Sequence, residues 1–311
     1  MEHEQEKQTP GVFRVYRKLR YVLFALVLLI MAASAAQVVY VFGQYWKGED
    51  VYRAANDAYI LPPRTPQPGS RQTVPPASVD PGQSAEATPD PDGNIPEGPD
   101  ATPVPGAPDD ATPAPNAPDE PQEFAPFSVD FDGLRAVNAE CVGWISIPDT
   151  KISFPVMRAE NNSKYLTILP DGTKNSNGSI FMDCRCNPDM SDRNTIIYGH
   201  HMENGAMFAS LDKFFGRSFF NEHRTAYYLT PDADYKITII ACARVAADGE
   251  AYDWFETDEE LRTYLAGALK NASVSAPVDV NGIDRILTLS TCSGRTGVRT
   301  IVIGTIKRIG Y

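Results

Sequence analysis

A run of apolar and hydroxyl residues, Leu287-Thr288-Leu289-Ser290-Thr291, ends in Cys292, and Arg295 and Arg299 follow within seven residues. Such a segment predicts a β-strand that delivers one thiol to its end, where the loop beyond leaves the sulfur accessible. A nearby guanidinium favours thiolate over thiol, or holds the oxyanion that forms when a thiolate attacks a carbonyl. A second short run, Asn194-Thr195-Ile196-Ile197-Tyr198, ends in Gly199-His200-His201. A cysteine and a histidine brought together from distant strand ends are the minimum pair for thiol acyl transfer or proteolysis. Taken alone, each residue has a structural reading, since cysteine is among the most buried residue types. The two strand-end contexts together point to chemistry.

The elements that must position these residues are mostly strands. Past residue 128 a short helix at Phe131 to Asn138 precedes runs of four to eight residues broken by Gly, Pro, Asn and Asp. Strands are predicted at Val142–Ile147, Ile152–Val156, Ser179–Met182, Thr195–Tyr198, Ala226–Leu229, Tyr235–Val245, Arg285–Leu289 and Thr300–Ile306. That many short strands in so compact a stretch imply a mainly β fold and a closed or nearly closed barrel. One helix interrupts them, Asp258 to Lys270, with Leu261, Tyr264, Leu265, Ala268 and Leu269 on one face and three acidic residues in its first turn.

Composition divides the chain unevenly. Between Leu61 and Glu123 lie 18 of the 26 prolines and 11 acidic residues against two bases, Arg64 and Arg71, so this stretch carries −9 of the net charge of −12. The remainder is close to neutral and carries no basic patch of the kind nucleic acid would need. With few large apolar residues, 61–123 is expected to be a disordered, acidic, Pro-rich linker. It holds a tandem decapeptide, residues 101–110 and 111–120, and about 60 extended residues would reach on the order of 190 Å. Before it, Tyr21 to Phe42 is an uncharged apolar run long enough to span a bilayer. Arg14, Arg17, Lys18 and Arg20 precede that run, and Glu49 and Asp50 follow it. The positive-inside rule therefore assigns a cytoplasmic tail over 1–20, a single-pass signal anchor over 21–42, and an external remainder. Ala33-Ser34-Ala35 offers the competing reading of a cleaved signal peptide. Residues 43–60 are expected to be a juxtamembrane segment that can be helical, and 124–311 the catalytic domain. Of the five cysteines, Cys141 and Cys242 lie in apolar contexts expected to be core, while Cys184 and Cys186 are too close in sequence for an ordinary disulfide. Nothing in the spacing of His, Cys, Asp and Glu calls for a metal or a cofactor.

From about Val129 to Arg308 the chain resembles the sortases, and within them class B. The blocks that carry the likeness are Val129-Asp130-Phe131-Asp132 with Leu134 and Asn138, Val142-Gly143-Trp144-Ile145 through Pro148, Thr150-Lys151-Ile152 and Pro155-Val156. They continue with Gly178-Ser179-Ile180-Phe181-Met182-Asp183, Tyr198-Gly199-His200 with Gly205 and Met207-Phe208, Phe219-Phe220 with His223, and Thr288-Leu289-Ser290-Thr291-Cys292. The resemblance implies a closed eight-stranded sortase-type β-barrel with an N-terminal helical element and one inserted helix. It implies Cys292 as nucleophile, His200 as general acid and base, and Arg299, which opens the strand after the cysteine loop, as the oxyanion donor in preference to Arg295. Asn162, Leu166, Tyr198, Ser290 and Thr291 would face substrate. Ser293-Gly294 puts no carboxylate beside the cysteine, so a dyad plus arginine is simpler than a triad, although Asp183 or Asp284 could assist from elsewhere.

The activity so implied is that of a membrane-anchored cysteine transpeptidase. Its donor would be a surface protein bearing a C-terminal sorting signal of the Asn-Pro-x-Thr type, and its acceptor an amine of a peptidoglycan precursor at a Gram-positive-type envelope. A pilin lysine as acceptor would make it a pilus-assembly enzyme, and water would make it a surface cysteine peptidase. A tethered binding module is the non-enzymatic reading; it gives no reason for the Cys, His and Arg contexts to coincide.

Overall fold

The computed structural model describes residues 10–64, 123–292 and 297–310, with side chains from residue 16 onward and excluding that of Cys292. Most of the expected linker, 65–122, and Arg295 lie outside the described residues. The chain opens with helix α1 (Pro10–Tyr59), followed by β1 (Ile60–Leu61), β2 (Ser128–Val129) and α2 (Phe131–Val137). Then come β3 (Cys141–Ser146), β4 (Ser153–Met157), β5 (Ile180–Met182), β6 (Asn194–Gly199), α3 (Arg217–Glu222), β7 (Thr225–Leu229) and β8 (Asp234–Ala246). The last elements are α4 (Asp258–Asn271), β9 (Val274–Ser275), β10 (Ile286–Cys292) and β11 (Val298–Ile309).

All eight strands expected from the sequence form, most within a residue or two of their predicted ends and the cysteine strand extended as far as Cys292, and they close on themselves. The order is β11-β10-β6-β5-β4-β3-β7-β8, and β8 pairs back onto β11, which makes a closed barrel with β9 added at the edge of β8. Closure satisfies edge groups that an open sheet would leave unpaired. Two pairings are parallel, β10 with β6 and β4 with β5; the remaining pairings of the barrel are antiparallel.

Side chains sort by strand parity. Ile145, Ile197, Leu287, Leu289 and Val302 belong to the main core, whereas the adjacent Trp144 belongs to a second cluster with Ala55, Phe131, Leu134 and Met157. A third cluster seats α4: Leu261 and Leu265 pack with Ile240, Ile286, Ile301 and Ile303. Helix α4 starts in a capping box in which Thr257 and Glu260 each bond the other's backbone N–H, and three acidic residues of its first turn suit the positive end of the helix dipole.

Helix α1 is longer than the apolar run requires. Its large apolar side chains from Leu19 to Tyr40 stand exposed on all sides, and it is the one helix among the described residues long and apolar enough to cross a membrane. The helix then continues and packs against the barrel. The Tyr52 hydroxyl donates to the Gly178 carbonyl at 2.7 Å, and Asn56 Nδ2 donates to the Ser153 carbonyl at 3.0 Å. From the barrel side, Asn175 Nδ2 reaches the Gln44 carbonyl at 3.0 Å. Gly48 passes so close to Asn177 that a Cβ there would collide with its amide.

This packing changes what the Pro-rich stretch connects. β1 pairs with β2 in the register Ile60↔Val129 and Leu61↔Ser128, and Asp130 N donates to the Tyr59 carbonyl at 2.9 Å. Glu123 is held to the barrel by Lys236 at 2.5 Å and, through its carbonyl, by Gly310 N at 2.8 Å. The described residues up to Arg64 and from Glu123 onward belong to one compact unit. The expected spacer is therefore an insertion whose two ends are fixed on one body, rather than the link by which the barrel hangs from α1. A protease site engineered between Pro75 and Pro91 and cut in the detergent-solubilised protein should leave the two fragments co-eluting until denaturant is added. Tyr52→Ala should weaken their association by on the order of 3 kcal/mol, the usual loss for truncating a buried aromatic. Immediate separation of the cut wild-type chain in native buffer would show that the helix does not hold the barrel.

Candidate active site

Strand register brings the expected residues together. In the parallel pair β6–β10, Ser290 lies opposite Tyr198 and Thr291 opposite Gly199, so Cys292 and His200 leave adjacent strand ends one residue further on. In the antiparallel pair β10–β11, Cys292 lies directly opposite Arg299. Gly199 is needed for packing: a Cβ there would lie 2.5 Å from Ile180 Cδ1 and 2.7 Å from the Phe208 ring. That accounts for glycine immediately before His200.

A groove of about 250 Å³ opens at these strand ends, lined by Asn162, Leu166, Phe181, Tyr198, Gly199, His200, Ala247, Tyr252, Ser290, Thr291 and Arg299. All five residues expected to face substrate line it, as do His200 and Arg299. His200 Nε2–H donates to the Leu166 carbonyl at 2.7 Å, and since a carbonyl only accepts, Nδ1 is the nitrogen left to take up or release a proton. Arg299 Nη1 donates to the Val298 carbonyl at 3.1 Å, and no carboxylate among the described residues neutralises its charge. The Thr291 hydroxyl is buried with no hydrogen-bond partner among the described residues, an arrangement that costs free energy unless something binds there.

Neither carboxylate considered as a helper touches His200. Asp284 precedes the opposite end of β10 and lies 3.8 Å from Arg285. Asp183 is fully buried and accepts from Arg185 and Tyr198. Burial pushes its carboxyl up, but the bonds from the Arg185 side chain and backbone and from Tyr198 outweigh burial and hold it below the usual value. His201, the histidine beside His200, is engaged by Asp212 at 3.0 Å. Asp212 also accepts from Thr300 Oγ1 at 2.8 Å, which ties the residue after His200 to the residue after Arg299. His223 bonds the Phe219 carbonyl and stacks on the Phe219 ring at 3.9 Å, away from the groove.

Burial pushes the Cys141 thiol up to about 11 and those of Cys186 and Cys242 up to about 12, so these three stay protonated and unreactive at neutral pH. Cys141, Cys184, Cys186 and Cys242 are all free thiols. Cys186 follows Asp183 in the turn after β5, and its sulfur is packed inside.

Sequence reasoning did not assign Phe181, Ala247 and Tyr252 to the groove. Tyr252 stands in the connection between β8 and α4, where its hydroxyl shares a 2.8 Å hydrogen bond with Ser290 Oγ and its ring stacks on Tyr198 with centroids 6.1 Å apart. Nothing in the local pattern Ala-Tyr-Asp-Trp points to this, because the contact is made across the barrel mouth.

Comparison with known proteins agrees with this geometry. The sortase domain family matches residues 145–307, just over half of the chain. The chain is 36% identical over 163 residues to sortase B of Listeria monocytogenes, a match covering 51% of this chain and 65% of that protein. The structure of a Staphylococcus aureus sortase B–substrate complex superposes with a TM-score of 0.54 at 28% identity, over 58% of this chain and 85% of that one. Bacillus anthracis sortase B in complex with AAEK1 gives a TM-score of 0.52 at 34% identity, over 57% of this chain and 83% of that one. Register, groove and likeness converge: the chain belongs to the sortase family, in its class B.

Proposed function

We propose that this chain is a membrane-anchored cysteine transpeptidase. The convergence of Cys292, His200 and Arg299 at three neighbouring strand ends, beside one groove, carries the reading. Cys292 Sγ, as the thiolate, attacks the carbonyl carbon of a sorting signal, and the carbonyl π electrons move onto oxygen. Arg299 donates to that oxyanion. Collapse re-forms the carbonyl and expels the amine, which takes its proton from His200, leaving a thioester on Cys292. An acceptor amine then gives a proton to His200 as it attacks the thioester, and the new amide forms with release of the thiolate. Asn162, Leu166, Tyr198, Ser290 and Thr291 hold the peptide, and the Thr291 hydroxyl, without a partner among the described residues, supplies or accepts a hydrogen bond.

The donor is a surface protein with an Asn-Pro-x-Thr type signal, and the acceptor an amine of a peptidoglycan precursor. A pilin lysine would serve the same chemistry. The apolar stretch of α1 supports a single-pass anchor with residues 1–20 cytoplasmic and the barrel outside. In that arrangement 124–311 forms the catalytic domain, with 43–60 docked against it and 61–123 left as an acidic, Pro-rich segment.

Cys292→Ala should abolish cleavage of an Asn-Pro-x-Thr peptide and capture of the acyl-enzyme by mass spectrometry; full activity in that variant would remove the reading. Arg299→Ala should slow single-turnover acylation about 10²- to 10³-fold with the fold intact. Lysine at 299 should restore only part of that, since it keeps the charge and loses the planar fork. Arg295→Ala should change the rate far less, and the reverse order of the two arginine variants would move the oxyanion donor to 295. Thr291→Val keeps the shape and removes the hydroxyl; it should raise KM several-fold, and an unchanged KM would take Thr291 out of peptide recognition.

A further inference from the structure

The turn that follows β5 does more than connect strands. Asp183, buried at the end of that strand, receives Arg185 Nε at 2.9 Å, Arg185 Nη2 at 2.9 Å, the Arg185 backbone N–H at 2.9 Å and the Tyr198 hydroxyl at 2.9 Å. Arg185 Nη2 also donates to the Tyr252 carbonyl at 3.2 Å. The backbone N–H of Cys184 donates to Asn162 Oδ1 at 2.8 Å. The turn is itself pinned from below, since Arg158 donates to the carbonyls of Cys184 and Cys186, each at 2.8 Å. Three groove-lining residues from three separate segments, Asn162, Tyr198 and Tyr252, thus end on one turn.

We infer that this turn sets the shape of the substrate groove, and that Arg185 is a positioning residue for peptide binding, acting through the Tyr252 segment. The inference rests on the groove being the substrate site proposed above. Tyr252 is the wall that Arg185 itself reaches. That wall belongs to the connection between β8 and α4; it meets the barrel through Ser290 and Tyr198, Asn194 Nδ2 holds the neighbouring Ala251 carbonyl at 3.2 Å, and Arg185 holds the Tyr252 carbonyl. A planar guanidinium suits the task because one face of the fork can grip a buried carboxylate while the outer nitrogen still has a donor to spare. The Arg185 side chain is 51% exposed, so shortening it opens no core cavity.

Arg185→Gln should raise KM for an Asn-Pro-Gln-Thr peptide about tenfold with kcat little changed. Alkylation of Cys292 by iodoacetamide should keep its rate, since a small electrophile does not need the groove. Amide hydrogen exchange over 247–256 should quicken in the same variant. Arg185→Lys, which keeps the charge without the fork, should fall between the two. If Arg185→Gln folds poorly because it strands the Asp183 charge, the pair Asp183→Asn with Arg185→Gln removes that charge and should show the same KM and exchange changes. Unchanged KM and unchanged exchange, with a lowered Tm alone, would make the pair merely structural and overturn the inference. A wild-type chain that turns over no such peptide, while exchange over 247–256 still quickens in Arg185→Gln, would sink the proposed substrate and leave the positioning role standing.

Discussion

The parallel pairing of β6 with β10 is the constraint on which the site depends. Side chains alternate along a strand with a period of two, so a slip of one residue would turn the set on β10 to the opposite face. The register Ser290↔Tyr198 and Thr291↔Gly199 is held by the apolar residues beneath it, Ile197, Leu287 and Leu289, which fill the barrel core. β11 is then locked from both sides, by β10 and by β8, which sets Arg299 opposite Cys292. The geometry of the candidate site follows from barrel closure, and the loops finish it.

The polar groups around the groove are arranged so that few are left idle. The Tyr198 phenol donates to Asp183, and burial with that neighbouring carboxylate pushes its ionisation well up, so it remains a donor at any working pH. His201, which adjoins His200, is engaged by Asp212, and Thr300, which adjoins Arg299, is bonded to the same carboxylate. His200 and Arg299 each thus have a neighbour that is already committed. The exception is the Thr291 hydroxyl, buried and unpartnered among the described residues, one residue before Cys292. Preorganised donors in such a setting need little rearrangement as charge develops.

The apolar segment and the barrel meet in α1. Its apolar length suits a bilayer, and its last turns use Tyr52, Ala55 and Asn56 to seat the barrel. A barrel packed on the last turns of α1 keeps a defined distance from the helix's apolar segment, whatever the length of the Pro-rich insertion. That insertion can lengthen by duplication at small entropic cost, because loop closure grows only slowly with length.

How much was legible in the sequence follows from the range of each interaction. Strand content came from local alternation and turn residues, α4 from its acidic start and apolar stripe, and the apolar length of α1 from composition, since each of these signals is carried by residues near one another in the chain. Cys292, His200 and Arg299 could be nominated for the same reason: each is marked by the strand end beside it. The sequence could not show that Asp183 bonds Arg185 and Tyr198 instead of His200, nor that Tyr252 forms a groove wall 38 residues from Ser290. Nor could it show that the ends of the Pro-rich stretch are pinned together through β1 and β2. Those facts depend on which strands become neighbours when the barrel closes, and hydrogen bonds between segments far apart in the chain leave no periodic trace in either one. Residue types and local pattern determined the family, the strands and the candidate chemistry; the tertiary structure alone decided the partners, because partnership is a property of closure in space.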